Sequence, residues 1–529
     1  MGAVWLSRLH KKERLTMSEE KKNVSLNRAK PYQLMLFPMN NGATNVYYIL
    51  TMNFIAYYAN GVLGLALMFA TTMVTVMRLF DAVTDPIIGA LIDRTSTKFG
   101  KFRPYMVLGN GIMIVSSLLL YFGTRIIAED LLWLRYTCFV LFYALYVIGY
   151  TFQTACTRSG QTCLTNDPKQ RPLFTVFNTV ASLIGMGLVQ FLAPILSERL
   201  GGYNSASFFD FMIPLAVVVS AILTFLAVIG IWEKDRPEFF GVGNKQEKVK
   251  LQEYVAILKA NKELQRLMVA GAGCKLAFSI ATNMTVLCML YGAMMGNYGG
   301  LYLPMMIVGY VFSVPFFLLT VRTSQRHGQK ASLVRYTGLA LIMYVGVLVL
   351  LFLWKPGVEA VNLTLIPPNV YSVLFVLFFG IGYGAYYATA DMPIPMVADC
   401  SDYETYRSGR YIPGIMGTLF SLVDKLVSSL GSTIVGIAVA MIGIQTLPDS
   451  NTPYADGMHG VVMVLFCIVP MAAWVATLIA MKGYTLTGAR MKEIQAVNAV
   501  RKQAVSEGMS LEEAMEKWKE MGDVPEEFR

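Results

Sequence analysis

RLFDAVTDPIIGALIDRTSTKFGKFRP, residues 78–104, is the stretch on which the reading of this chain turns. It places Arg78, Asp81 and Asp85 in apolar surroundings: VLGLALMFATTMVTVM leads into it and IIGALI follows Pro86. Ionised groups in hydrocarbon are costly unless they are paired or hydrogen-bonded. The rest of the chain is equally apolar. Of its 529 residues, 55% are hydrophobic and 15% charged, against about 25% charged in a soluble domain. Runs of about 20 apolar residues, long enough to cross a bilayer, recur throughout, so a polytopic all-α membrane protein is expected.

Working outward from the quoted stretch, hydropathy gives twelve spans near 34–60, 63–92, 104–124, 133–157, 173–199, 206–232, 264–292, 300–321, 332–354, 369–398, 412–443 and 457–481. Basic residues divide unevenly between the loops. Of 44 Lys and Arg, only Arg125, Arg135, Arg199 and Lys355 fall on one side, while Arg78, Lys275 and Lys425 lie inside spans. The net charge of +10 is therefore a positive-inside pattern, with both termini cytoplasmic in a cell (inner) membrane. It is not a nucleic-acid-binding patch. The seven cysteines show no CxxC and no paired spacing, which points to buried thiols. No metal site or cofactor is expected, and the three histidines are scattered. The first 30 residues lack the apolar core of a signal peptide, and Met17 opens an alternative start, MSEEKKNVS.

The loop after the second span recurs. DRTSTKFGK at 93–101 and VRTSQRHGQ at 321–329 share Arg-Thr-Ser and a following Gly at one constant offset, each after the second span of a six-span half. The expected organisation is a segment 1–32, six-helix bundles at 33–232 and 263–482, a linker at 233–262 and a cytoplasmic tail at 483–529. Tandem six-helix bundles are the duplication pattern of the major facilitator superfamily. Two basic turn-forming loops would also explain the match.

On a helix, Asp81 and Asp85 share one face, with Arg78 a turn before Asp81 and Thr84 on the flank. Two ionised carboxylates this close repel strongly at low dielectric and need a proton, a cation or a basic partner. Reversible neutralisation would make them a coupling site, because loading a cation permits a second conformation. A static Arg78–Asp81 ion pair is the alternative.

The pattern RxxDAxxDPxxGxxxDRTxxxxGKFRP resembles the signature of the glycoside–pentoside–hexuronide:cation symporters, the melibiose-permease family of the major facilitator superfamily. VADCSDYETY at 397–406 resembles a second run of that family, and the likeness extends from about residue 33 to 482. The resemblance implies a sugar symporter with the major facilitator fold. By position it implies that Asp81 and Asp85, with Thr84 and Thr151, bind the coupling Na+ or H+, and that Lys425 links the cation and sugar sites. A buried lysine needs a counter-charge, which the aspartates could supply.

The departures from that family bear on the substrate. Two sugar-binding aspartates of melibiose-type members align with Thr44 and Thr154, and the fourth span reads TACTRSG. Arg158 falls near the position of a sugar-binding aromatic. A guanidinium binds carboxylates in bidentate fashion, so an acidic sugar or uronide is expected; a snorkelling arginine at the helix end is the alternative. In the tenth span Asp391 lies between Tyr383, Tyr386 and Tyr387 and two prolines, Pro393 and Pro395, which should break the helix beside a pocket. Asp391 could bind substrate, or pair with Lys275 or Lys425. Asn178, Asn45, Asn53 and Gln153 are further candidates for sugar hydroxyls.

Asp93, Arg94, Lys101 and Arg103 are expected to pair across the bundle interface with Asp399, Asp402 and Glu404, breaking as the cytoplasmic side opens; ordinary solvated loop charge is the alternative. Arg78 belongs with this gating set. The tail reads as amphipathic helix without assigned chemistry, and the protein as a monomer. Two rival functions stand beside this reading. One is lipid or lysolipid transport within the same superfamily. The other is an intramembrane Mg2+-dependent prenyltransferase, which would need a second Asp-rich motif inside a span. Without a Walker sequence, ATP-driven transport has no support.

Overall fold

The computed structural model describes residues 28–95, 97–165, 170–236, 257–410 and 413–528, and every regular element among them is helical. Residues 1–27 of the expected N-terminal segment, 237–256 of the linker and the Asp93 side chain lie outside the described parts. The first half comprises α1 (Met39–Tyr57), α2 (Leu67–Arg94), α3 (Arg103–Leu118), α4 (Leu132–Leu164), α5 (Gln170–Arg199) and α6 (Ala206–Ile231). The second comprises α7 (Lys262–Ala281), α8 (Tyr298–His327), α9 (Gln329–Leu353), α10 (Val370–Thr389), α11 (Pro413–Met441) and α12 (Met458–Gly483).

Ten of these are long and apolar enough to cross a membrane, and α7 with its continuation to Met294, bent by 45°, makes an eleventh. The remaining helix, α1, is of spanning length: 19 residues rise roughly 28 Å, and a π-helical turn extends it to Val62. Its polarity, from Asn40, Asn41, Thr44, Asn45, Thr51, Asn53 and Asn60, lowers its hydropathy. α10 breaks at residues 390–392 and resumes as Pro393–Ser408. Pro393 supplies the break, because it has no N–H to continue the ladder.

The repeated loop keeps one backbone feature in both halves, although Thr95 is extended and Arg322-Thr323-Ser324 are helical. Gly100 (φ +101°) and Gly328 (φ +89°) each turn through the left-handed region, which glycine enters without a Cβ clash. At Gly100 a Cβ would lie 2.2 Å from the Asp235 carboxylate. That carboxylate accepts the backbone N–H groups of Lys101, Phe102 and Arg103 at 2.8–3.1 Å, satisfying donors that a helix start leaves orphaned.

The halves meet along α2 and α11. The Thr75 hydroxyl donates to the Ser429 carbonyl at 2.9 Å and lies 2.9 Å from the Thr433 hydroxyl. Gly436 lets α11 approach closely, since a Cβ there would come within 2.3 Å of Thr71 Oγ1. At the face remote from the termini the loops lock together. Tyr57 donates to Thr285 and to the Pro448 carbonyl at 2.9 and 2.7 Å, and Tyr203 meets Tyr298 at 2.8 Å. Asn60 exchanges bonds with Gln445 and Leu447. Asn204 donates to the Leu447 carbonyl and to Asp449 at 2.8 and 3.1 Å.

This seal is testable. Asp449 is buried and also caps its own turn through Thr452 and Asn451. Hydrogen bonds to a charged group contribute about 1.5–3 kcal/mol each, so Asp449→Ala is expected to favour the opposite opening about tenfold or more. Cys288, fully buried behind the seal, is the reporter in a chain whose other cysteines are replaced. A membrane-impermeant maleimide added at that face should label it correspondingly faster in the variant, and an unchanged rate would contradict the seal.

Beyond α12, α13 (Gly488–Ser506) and α14 (Leu511–Lys517) fold back onto the Pro393–Ser408 segment. Tyr406 lies beneath two guanidinium groups, Arg490 at 5.2 Å and Arg501 at 5.3 Å. Arg501 also donates to the carbonyls of Trp518 and Tyr406. The amphipathic reading of the tail thus has its apolar face buried, in a cluster around Val497, Val500 and Trp518.

Candidate functional site

Arg78, Asp81 and Asp85 project from one side of α2 towards α4 and α11. Asp81 is 1% exposed in its side chain. Its Oδ1 accepts the Thr151 hydroxyl from α4 at 2.9 Å, while Oδ2 lies 3.1 Å from Arg78 Nη1 and 2.8 Å from Lys425 Nζ. The same lysine reaches Asp85 Oδ2 at 2.5 Å, and Arg158 Nη1 stands 3.7 Å from that oxygen. Thr84 donates to the Asp81 carbonyl at 3.0 Å and lies 3.2 Å from the Thr151 hydroxyl. Asp81, Asp85, Thr84 and Thr151 therefore lie together, the first three by their spacing on α2 and Thr151 from the position that the family resemblance implied. The ammonium of Lys425, from the opposite half, occupies the centre of the charge pair. Arg78–Asp81 also forms, so the ion pair given as the alternative is present beside the Lys425 contacts.

Three cationic groups surround two carboxylates. Such a cluster is held by charge-assisted hydrogen bonds. Arg78 closes the side nearer the sealed face. Its guanidinium lies 5.3 Å over the Tyr48 ring, which stacks with Tyr150 at 6.3 Å. A cavity of about 20 Å³, bounded by Arg78, Asp81, Thr51, Tyr143 and Tyr146 among others, lies there; that is room for about one water.

The other expected substrate contacts are dispersed. Thr44 is buried and donates to the Asn40 carbonyl on its own helix at 2.7 Å; Asn40 in turn bonds to α4 through Gln153 and Thr157. Thr154 donates to the Thr151 carbonyl at 3.1 Å. Both hydroxyls are occupied within their helices. Gln153 is likewise engaged, with the Met106 carbonyl at 2.6 Å. The Asn178 carbonyl accepts Asn41, whereas its buried Oδ1 has no partner. Tyr387 stacks on Tyr383 at 5.5 Å and meets the edges of Tyr310 and Phe317. Asp391 takes the second of its expected roles: it pairs with Lys275 across the break in α10. Its side chain is nevertheless 70% exposed and that of Arg158 65%.

Among the described residues, Arg94 and Arg103 form no ion pair with Asp399, Asp402 or Glu404, the separated arrangement expected where that side is open. Arg103 is held within its own half, 3.4 Å from Asp235 and stacked 4.5 Å over Trp232. The Lys101 backbone also bonds to Asp235, and Arg94 is exposed. On the other half, Asp399 is partly buried, and the Asp402 carbonyl accepts Asn498 from the tail. Glu404 is buried with Asn261 and Arg407. The physical reason is separation: with the remote face locked, α2 and the Pro393–Ser408 segment find partners inside their own halves. Asp235 and Asp424 are not singled out by the sequence, whereas Lys275 is named there as a partner for Asp391. Asp235 had a signal, an acidic residue directly after the last span of the first half.

Comparisons fit this geometry. The MFS/sugar transport protein family matches residues 37–488. The putative glycoside/cation symporter YagG of Escherichia coli (strain K12) is 24% identical, across 84% of this chain and 89% of its own. The inner membrane symporter YicJ of that strain is 25% identical, across 87% and 92%, and its glucuronide carrier protein homolog 23%, across 87% and 93%. Among solved structures, the nucleoside transporter NupG superposes with a TM-score of 0.57 at 14% identity, covering 86% of this chain and 100% of that one. A bacterial homologue of the human lysosomal transporter Spinster, inward-facing and unoccupied, gives 0.55 at 14%, covering 86% and 97%. These structures share the fold. With the helix-two signature and the family match running nearly end to end, the chain belongs to the MFS/sugar transport proteins of the major facilitator superfamily, in their glycoside–pentoside–hexuronide branch.

Proposed function

We propose that the protein is a cation-coupled sugar symporter of a cell (inner) membrane, with both termini cytoplasmic, acting by alternating access on a glycoside or uronic-acid-containing saccharide. The observation that carries this reading is the seating of Lys425 between Asp81 and Asp85. Two carboxylates and the Thr84 and Thr151 hydroxyls form an oxygen-rich site for Na+ or H+, and the group that neutralises it belongs to the other half. When the ion arrives, Lys425 is released and the ionic tie across the α2–α11 seam is lost. When the ion leaves, the tie reforms. A ligand shifts a conformational equilibrium by its differential affinity for the two states, and here the difference lies in whether Lys425 or the ion holds the carboxylates.

The printed names of the relatives include glycoside/cation symporter and glucuronide carrier homolog, which supports a glycoside or uronide. Arg158 and Asp391, both exposed, offer a guanidinium to a sugar carboxylate and a carboxylate to sugar hydroxyls. The test is counterflow of methyl β-D-glucuronide and methyl β-D-galactoside in proteoliposomes, with wild type and Arg158→Ala. Removing a charge-assisted bond of about 1.5–3 kcal/mol should weaken the glucuronide roughly tenfold or more while sparing the galactoside. Equal losses would remove the case for an acidic sugar.

A further inference from the structure

Lys275 on α7 has two carboxylates within reach. Asp391, at the break in α10, holds it closely, and Asp424 Oδ1 on α11 stands 3.9 Å away. The two stations differ. The Asp391 side chain is 70% exposed, whereas Asp424 Oδ1 is buried and accepts no hydrogen bond. Asp424 is also the chain neighbour of Lys425, whose ammonium bridges Asp81 and Asp85. α7 and α11 are joined one turn further on, where the Ser279 hydroxyl donates to the Ser428 carbonyl. The charged groups around Asp424 are Lys275, Asp391, Lys425 and, from α2, Arg78, with Asp81 and Asp85 beyond Lys425.

We infer that Lys275 is an exchange residue, held by Asp391 in the empty state and handed to Asp424 when a sugar hydroxyl engages Asp391, so that sugar occupancy is transmitted to Lys425 and the cation site. This rests on the symport reading and adds a positioning residue to it. The electrostatics favour the exchange. Asp424 has an oxygen without a donor in a low-dielectric setting, where an unsatisfied acceptor is costly. A lysine released from Asp391 needs a counter-charge and finds the nearest one there. Once Lys275 has neutralised Asp424, the field of that carboxylate on Lys425 is reduced, which alters the hold of Lys425 on Asp81 and Asp85.

Asp424→Asn tests this without disturbing the Lys275–Asp391 pair. The probes are methyl β-D-glucuronide and methyl β-D-galactoside in proteoliposomes, read both as counterflow and as accumulation under an imposed Na+ or proton gradient. The inference predicts that Asp424→Asn keeps counterflow of the transported probe within about twofold yet loses at least tenfold in gradient-driven accumulation, and that Asp424→Glu restores it. Accumulation by Asp424→Asn equal to wild type would overturn the inference, as would equal loss of counterflow and accumulation in folded protein. A wild-type chain that accumulates neither probe under either gradient would overturn the symport reading itself, and this inference with it.

Discussion

Asp81→Asn is expected to abolish gradient-driven sugar accumulation while leaving the protein folded. The wild-type carboxylate receives Thr151 on one oxygen and Arg78 and Lys425 on the other. An asparagine retains one acceptor but turns an NH2 group towards two cations, or gives up Thr151 to avoid them. Either way the coupling ion loses one of its two negative ligands. Charge-assisted bonds contribute about 1.5–3 kcal/mol each, so ion affinity should fall about tenfold to hundredfold. Accumulation should then collapse to the equilibrium level. Asp85→Asn should act in the same direction with a smaller effect, because Asp85 is 24% exposed against 1% for Asp81 and water can replace part of what is lost. The measurement is the steady-state accumulation ratio in proteoliposomes, with a thermal melt to verify folding. Normal ratios in both variants would contradict the coupling assignment.

Lys425→Met should produce the second large effect, and its sign is distinctive. Removing one member of a buried ionic cluster costs about 3–5 kcal/mol, because the remaining charges are left uncompensated. In this variant Asp81 and Asp85 face one another with Arg78 and the more distant Arg158 for relief. Stability should therefore become strongly dependent on what can neutralise them. If Na+ is the coupling ion, the melting temperature should rise steeply with Na+ concentration, far more than in wild type, where Lys425 already occupies the site. If the proton is the ion, the variant should gain stability as pH falls, since protonation removes the repulsion. Transport should be lost in both cases, because ion release no longer restores the α2–α11 tie. A variant whose melting temperature is indifferent to both Na+ and pH would show that Lys425 is not the competitor of the ion.

The fold was legible because its signals are local or repeat at long range. Apolar runs, the loop asymmetry of Lys and Arg, and the duplicated Arg-Thr-Ser/Gly turn each depend on composition or short spacing. The Gly100 and Gly328 backbones match that duplication. Asp81 and Asp85, with Thr84 on their flank, were legible for a related reason: a carboxylate pair at one-turn spacing inside a span has few explanations; Thr151 came only from the family resemblance. Lys425 was placed by the resemblance, and its need for a counter-charge agreed with that placement. What remained hidden depends on distances between helices. Sequence spacing offers Lys275 as one partner for Asp391 but does not reveal that Asp424 on α11 stands 3.9 Å from the same lysine. Nor does it show that Arg103 turns back to Asp235 instead of crossing to the other half. Thr44 and Thr154 were assigned by alignment to polar positions, but a threonine in a helix readily satisfies its hydroxyl on a carbonyl one turn back, and both do so.

The most direct test of the central claim is uptake of methyl β-D-glucuronide and methyl β-D-galactoside into proteoliposomes under an imposed sodium gradient and, separately, an imposed proton gradient, with the matching ionophore as control. The account predicts uphill accumulation of one sugar class with one of the two ions, abolished by collapsing that gradient and absent from Asp81→Asn. Folded wild-type protein that equilibrates these sugars without ever concentrating them under either gradient would contradict ion coupling at Asp81 and Asp85.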